Sequence, residues 1–348
     1  MAKPIKQPLI DYKEITAFLK YKFPQASNII FENILIKGDS LVVKADLRYN
    51  KGKVRRLWVK IDKNFFDDEE KARKIAEDSY HLLSKLYDDF SGEDNFAIVK
   101  PLCFWPQWAA VITEDAPGVP LSSIVYKYVF SLNKFGGHNK KRVTEILSNC
   151  GKWVAKFQET TGLDKELKGF ELDFLKDAEI KRDLSFLKYV GVSKKTTEVL
   201  RDYLFKHLPF VNGLTQKGVG CHVDFSPRNI IVGKNNKITL LDFEKFSYRW
   251  PYDNLAIFMV YLDSFRKYLL VDKNKLENLK EFFLQGYKSK TQHNIDEKIL
   301  HFFYTRYMLI MVANELTFVK KRKPFIRWLI LNRMRSILEF WVNKNILR

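Results

Sequence analysis

Three polar residues at fixed spacing, His222, Asp224 and Asn229, stand in the stretch Cys221-His222-Val223-Asp224-Phe225-Ser226-Pro227-Arg228-Asn229. The apolar run Ile230–Val232 follows, then a turn at Gly233 to Asn236, a second apolar run Ile238–Leu241, and Asp242-Phe243-Glu244. H-x-D-x-x-x-x-N, strand, turn, strand and D-F-E is the layout of a phosphoryl-transfer site. That chemistry asks little covalent help of a protein; it asks for in-line positioning and charge neutralisation. Asp224 is placed to take a proton from an attacking hydroxyl. A hairpin that begins just after Asn229 brings Asp242 back beside it, so the two can hold magnesium against the phosphates of a nucleotide.

The remaining residues of the stretch have supporting roles in this reading. Arg228 is expected to offset charge on the transferring phosphoryl group, with pairing to Glu244 or a solvent-facing position as its alternatives. Ser226 is expected to hydrogen-bond within the loop. His222 braces the loop and leaves the general-base role to Asp224. Asp253 ties its own loop down by capping the helix that Leu255–Phe265 begins.

Such a site needs a nucleotide lobe ahead of it. Phe31–Ile36, Leu41–Arg48 and Val54–Ile61 are rich in Val, Ile, Leu and aromatics and read as strands, separated by Lys37-Gly38-Asp39-Ser40 and Asn50-Lys51-Gly52. The third strand ends Leu57-Trp58-Val59-Lys60-Ile61, where Lys60 can reach nucleotide phosphates. A helix from about Asp67 to Asp89 carries Ile75, Leu82, Leu83 and Leu86 on one face. Glu77, with Asp78 as its rival, is the acid expected to hold Lys60. The turn Ile36–Ser40 has one glycine and no G-x-G-x-x-G, so any phosphate-covering loop here is not of the protein-kinase type. The strand Ala109–Thr113 runs into Glu114-Asp115-Ala116-Pro117-Gly118. It is the expected hinge, with backbone groups near Thr113, Glu114 and Asp115 free to meet adenine.

Over most of its length the chain resembles the aminoglycoside phosphotransferase and choline kinase superfamily of small-molecule kinases. Lys60 fits the nucleotide lysine of that superfamily, and Glu114…Gly118-Val119-Pro120-Leu121 its E-x-x-x-G-x-P-L hinge. His222…Asp224…Pro227…Asn229 fits the catalytic loop and Asp242-Phe243-Glu244 the metal strand. Trp250-Pro251-Tyr252-Asp253-Asn254-Leu255-Ala256 is similar to a P-x-x-D-L-A segment, with Asn254 inserted. The D-F-S-P-x-N form with D-F-E is also similar to kinase-like proteins of bacterial surface-polysaccharide clusters. The resemblance implies an α+β, two-lobed, protein-kinase-like fold with a small antiparallel-sheet lobe (1–113) and a larger, mostly helical lobe (114–348). It implies ATP or GTP as donor, a hydroxyl acceptor on a small molecule, Asp224 as base, and Asn229 and Asp242 as magnesium ligands.

The chain has 348 residues, 46% of them hydrophobic, enough to bury the core of a two-lobed enzyme. Cys103, Cys150 and Cys221 are few and scattered, as in a reducing cytoplasm. The N-terminus lacks the apolar core of a signal peptide, and no apolar run is long enough to span a membrane. The net charge is +19, which bears on partners and not on fold. Between Lys320 and Arg348 stand nine basic residues against the single acid Glu339, interleaved with Phe325, Trp328, Leu329, Phe340 and Trp341. Such a segment either packs in the helical lobe or lies on an anionic membrane surface. No nucleic-acid motif accompanies the charge. Cationic acceptors prefer acid-lined sites, so a chain this basic is expected to act on an anionic or membrane-bound acceptor, such as a sugar on a lipid or a phosphorylated saccharide. A sugar or glycolipid is the first choice, with choline-type amino alcohols and aminoglycosides as the alternatives. Acceptor-binding helices are expected over Leu121–Lys134, Lys140–Thr161, Phe170–His207 and beyond Asp253, with Trp153 and Phe157 in the core.

Overall fold

The computed structural model describes residues 12–32, 35–37, 40–62, 67–130, 137–268, 270–319 and 323–347. Gly38 and Asp39 of the expected phosphate-covering turn, and Lys320, Lys321, Arg322 and Arg348 of the basic segment, lie outside them. The chain divides into two compact units, residues 1–93 with 97–117, and residues 94–96 with 118–348.

The first unit holds α1 (Tyr12–Lys22), β1 (Asn28–Phe31), β2 (Leu35–Lys37), β3 (Ser40–Arg48), β4 (Val54–Asp62), α2 (Glu69–Asp89), β6 (Pro101–Trp105) and β7 (Ala110–Glu114); β5 (Phe96–Ile98) lies at the border. The strand order is β1-β3-β4-β7-β6, antiparallel throughout, with β2 paired to β3. The run Phe31–Ile36 is therefore not one strand but the end of β1 and the start of β2. Alternation sets the faces. In β4, Leu57, Val59 and Ile61 are fully buried with Ile15 and Leu19 of α1, while Trp58 and Lys60 point the other way. Asp68 caps α2 by accepting from the Lys71 N–H at 3.1 Å. The buried stripe of α2 is Ala72, Ala76, Ser79, Leu83 and Leu86, so Ile75 and Leu82 flank it and do not form it.

The second unit is mostly helical: β8 (Val119–Pro120), α3 (Leu121–Phe130), α4 (Gly137–Thr160), β9 (Glu166–Lys168), α5 (Asp177–Val190), α6 (Lys194–Gly213), β10 (Thr215–Lys217), β11 (Val219–His222), β12 (Ile230–Val232), β13 (Ile238–Leu240), β14 (Phe246–Arg249), α7 (Tyr252–Asp263), α8 (Lys273–Lys288), α9 (Glu297–Val319) and α10 (Pro324–Asn345). Helix α7 is apolar almost all round and buried almost all round, as such a helix must be. Helices α4 and α8 cross at contact distance through two glycines. A Cβ on Gly151 would lie 2.1 Å from the Phe283 carbonyl oxygen, and one on Gly286 2.1 Å from that of Ser148. Trp153 and Phe157 are fully buried, as expected, and stack at 4.8 Å. Together with Phe225, Phe243, Phe258 and Phe283 they form an aromatic floor. Among the described residues no helix is long and apolar enough to cross a membrane, and the three cysteines are free.

Candidate active site

The hairpin anticipated from Ile230 to Leu241 forms as β12 and β13, antiparallel, with Ile230 opposite Leu240 and Val232 opposite Ile238. β8 pairs on its other side, and this pairing explains Gly118. Its φ is +149°, and a Cβ there would stand 2.3 Å from the Val232 carbonyl oxygen, so only glycine lets the two backbones meet.

The loop between β11 and β12 is held by its own backbone and by groups from the end of β13, from α3 and from α7. The Phe225 N–H donates to the His222 carbonyl at 2.9 Å and the Asn229 N–H to the Ser226 carbonyl at 3.0 Å. The Asn229 side-chain amide donates to the Asp224 carbonyl at 3.0 Å. That bond closes the loop between the two residues through the amide nitrogen, not the amide oxygen. The Leu241 N–H donates to the Asn229 carbonyl at 2.8 Å, which carries Asp242 to the side of Asn229. Asp242 has φ +65°, a left-handed backbone that Asp tolerates better than most residues. The Pro227 carbonyl accepts from the Ser122 N–H at 2.8 Å, which satisfies an otherwise open donor at the start of α3.

His222 is the brace, as expected. It is fully buried, with its ring edge-on to Phe243 at 4.9 Å. Burial pushes its pKa below the ordinary value, against the pull of Asp242, the Leu241 carbonyl and Asp224. A neutral ring facing a carbonyl must donate, so Nε2–H donates to the Leu241 oxygen at 3.1 Å. Nδ1 is buried without a hydrogen-bond partner among the described residues.

Asp224 is half-buried, and its Oδ1 accepts the Tyr261 hydroxyl at 2.9 Å. Burial, then the Asp224 charge, raises the Tyr261 pKa far above its usual value, so this phenol stays a donor. Nothing near Asp224 in sequence announces Tyr261, which lies 37 positions on. Asn254 is a second contributor that sequence reasoning missed: fully buried, its amide donates to the His222 carbonyl at 3.2 Å. The residue that broke the P-x-x-D-L-A pattern therefore pins the loop. Asp253 does not cap α7. It sits inside the first turn, where its carboxylate accepts from the Trp250 N–H at 3.2 Å and from the Tyr307 hydroxyl, with Arg249 at 3.5 Å. Burial raises its pKa to about 6 against those partners.

Beside the loop opens a cavity of about 390 Å³ between α3, the loop and the C-terminal end of α7. Ser122, Lys127, Arg228, Tyr261, Phe265 and Tyr268 are among its lining residues, and so is Ser226, which is itself almost fully buried. Arg228 is exposed and makes no ion pair among the described residues, with Glu244 or any other acid.

In the first unit, Lys60 lies on β4 opposite Val42 and Val111, half-buried. Glu77 and Asp78 are both exposed on α2, and Glu77 stands 3.9 Å from His81. Sequence reasoning expected open backbone groups around Thr113 to Asp115, but two amides there are engaged. The Glu114 N–H donates to the Lys100 carbonyl at 2.9 Å and the Asp115 N–H to that of Arg56 at 3.0 Å. Their side chains are engaged as well, Glu114 by Arg55 and Asp115 by the Trp58 indole, each at 2.7 Å. Thr113 pairs with Trp58 and Pro101 in the sheet. The amides are spent because β7 is an interior strand, bonded on both edges.

Residues 128–287 match the model of a phosphotransferase enzyme family, APH. No curated protein sequence matches the chain. Among solved structures it is similar to a spectinomycin phosphotransferase in complex with ADP and spectinomycin, at 14% identity and TM-score 0.57 over 96% of this chain and 99% of that one. It is likewise similar to an amicoumacin kinase in complex with AMP-PNP, Ca2+ and Ami, at 14% identity and TM-score 0.55 over 95% and 96%. The choline kinase LicA from Streptococcus pneumoniae aligns at 16% identity and TM-score 0.50 over 95% and 99%. At such identities the structures share a fold, which is the α+β, protein-kinase-like one expected. Residues 128–287 therefore match a phosphotransferase family model, and the chain as a whole shares the fold of these solved small-molecule kinases.

Proposed function

We propose that the chain transfers the terminal phosphoryl group of ATP to a hydroxyl of a sugar or glycan-linked acceptor seated in the cavity beside Asp224. The observation that carries this reading is the Tyr261–Asp224 hydrogen bond. One side chain both lines the cavity and holds the carboxylate that would receive the acceptor's proton. Asp224 orients the acceptor hydroxyl and takes its proton as the new bond forms. Arg228, on the cavity wall, and Ser226, within the loop, stand next to that event. Lys60 is assigned to the nucleotide phosphates, with Glu77 on α2 supporting it. Thr113, Glu114 and Asp115 meet the base through groups other than the two amides already bonded. GTP is the alternative donor.

The residues present fit magnesium. Asn229 offers an amide oxygen and Asp242 a carboxylate, a pair of hard oxygen donors of the kind this ion takes together with nucleotide phosphates. Among the described residues no cluster of three His, Cys, Asp or Glu could bind a metal by itself. When bound, the ion neutralises phosphate charge.

Choline-type and aminoglycoside acceptors are less well served, because none of the eleven residues lining the cavity is acidic. A second surface supports action at an anionic membrane, which we place on its cytoplasmic side. Phe325 and Trp328, at the start of α10, are 72% and 60% exposed and stack at 6.1 Å, with Lys323 and Arg327 exposed around them. Nucleotide consumption against pooled sugars, lipid-linked saccharides, amino alcohols and aminoglycosides tests the reading. Turnover with a saccharide pool, abolished by Asp224→Ala, is the expected result. ATP bound but consumed with no pool would mean a silent nucleotide-binding module instead.

A further inference from the structure

The cavity beside the catalytic loop has a one-sided charge. Lys127 enters it from α3 and Arg228 from the loop, and no carboxylate is among its lining residues. Both side chains are exposed and neither makes an ion pair among the described residues. Some other surface cations do pair, as Lys176 does with Asp173 and Arg182 with Glu179. The two unpaired cations also share their cavity with four hydroxyl-bearing serines, Ser122, Ser123, Ser226 and Ser264, and with rings from Tyr126, Tyr261, Phe265 and Tyr268. Arg228 is close enough to Tyr261 for its charge to act on the phenol, and Tyr261 bonds Asp224. Cation, ring and base therefore follow one another along one wall.

Each part selects chemistry. Rings receive the apolar face of a sugar, and serine hydroxyls exchange hydrogen bonds with its hydroxyls. A guanidinium and an ammonium prefer a phosphate or carboxylate, the guanidinium through a two-pronged hydrogen bond. A polycationic acceptor would meet like charge and find no acid among the lining residues, with Asp224 and Glu315 the carboxylates that act on Tyr261. We propose that the acceptor is an acidic sugar, bearing a phosphate or carboxylate that Arg228 and Lys127 receive while Asp224 addresses a hydroxyl of the same ring. This rests on the kinase reading for the position of the acceptor, and goes beyond it in naming the acceptor's charge.

The test uses the full chain with three sets of probes: hexose 6-phosphates and hexuronates, the parent neutral hexoses, and the cationic pair choline and kanamycin. Binding is read by ligand-observed NMR and turnover by nucleotide consumption. The expected result is binding of at least one acidic sugar at least tenfold tighter than its neutral parent. Arg228→Gln and Lys127→Gln should each weaken that binding about tenfold, and Arg228→Lys should recover part of the loss. Phosphate and carboxylate arms separate the two sources of charge. Equal binding of acidic and neutral sugars, turnover of cationic acceptors alone, or no binding by any acidic sugar overturns the proposal. Acidic sugar bound but never phosphorylated would uphold this pocket and sink the kinase reading. Turnover confined to kanamycin or choline would do the reverse. Melting temperatures of the variants, altered at exposed side chains, verify folding.

Discussion

Removing one oxygen atom separates the two jobs assigned to Tyr261. In Tyr261→Phe the ring stays, so the cavity wall and the packing of α7 are kept. What goes is the 2.9 Å hydrogen bond to Asp224 Oδ1. A hydrogen bond to a charged acceptor contributes about 1.5–3 kcal/mol. If all of it orients the carboxylate toward the acceptor hydroxyl, kcat should fall about 10- to 100-fold, since about 1.4 kcal/mol is a factor of ten. The phenol is a donor throughout the neutral range, because burial and the Asp224 charge both hold its proton on, so the effect should be the same from pH 6 to 9. Nucleotide affinity should not change, since the hydroxyl faces the acceptor side. The cost in stability should be about 1 kcal/mol, a few degrees in Tm for a unit of this size. The assay is steady-state nucleotide consumption with the acceptor found in the screen, alongside a thermal melt. A kcat within twofold of the parent would refute the positioning role. A raised acceptor KM with unchanged kcat would make Tyr261 a wall residue only.

Asp242→Ala should remove the magnesium-dependent rise in melting temperature on adding nucleotide; an unchanged rise would end its assignment as a metal ligand. Gly286→Ala forces a Cβ against the Ser148 carbonyl oxygen and should cost about 1–3 kcal/mol as α8 is pushed off α4, measurable by urea unfolding; a shift below 0.5 kcal/mol, taken as about the noise of a surface change, would contradict the close crossing. Asp253 holds its proton more tightly folded than unfolded, with a pKa near 6, so its contribution should be present below about pH 4 and lost as pH rises through about 6, roughly 3 kcal/mol in all. Asp253→Asn should flatten that part of the stability–pH profile, and an unchanged slope would refute it. Full-length chain should float with anionic vesicles but not with neutral ones, and Phe325→Ser with Trp328→Ser should release it; flotation unaffected by the double change would remove α10 from the contact.

The local elements were legible because their signals are local. Alternating apolar residues make β4 and the β12–β13 hairpin, and the turn residues Gly233 to Asn236 lie between them, so Asn229 and Asp242 can be placed from spacing alone. Phe31–Ile36 misled because the apolar run continues across a break that periodicity does not show. The freedom of the amides near Glu114 was also misjudged. Whether a strand is an edge or an interior one depends on β4 and on the segment around Lys100, both remote in sequence.

What the sequence determined by itself is a reaction class, since H-x-D-x-x-x-x-N and D-F-E bind their own loop through backbone bonds between near neighbours. Tertiary structure decided what that loop faces. Tyr261 reaches Asp224 across 37 positions and Asn254 reaches His222 across 32, because α7 is buried nearly all round and must lie beneath the loop. The cavity with its two cations exists only where α3, the loop and the end of α7 converge. Spacing sets neighbours along a chain, whereas packing sets neighbours across it, and an acceptor is bound by the latter.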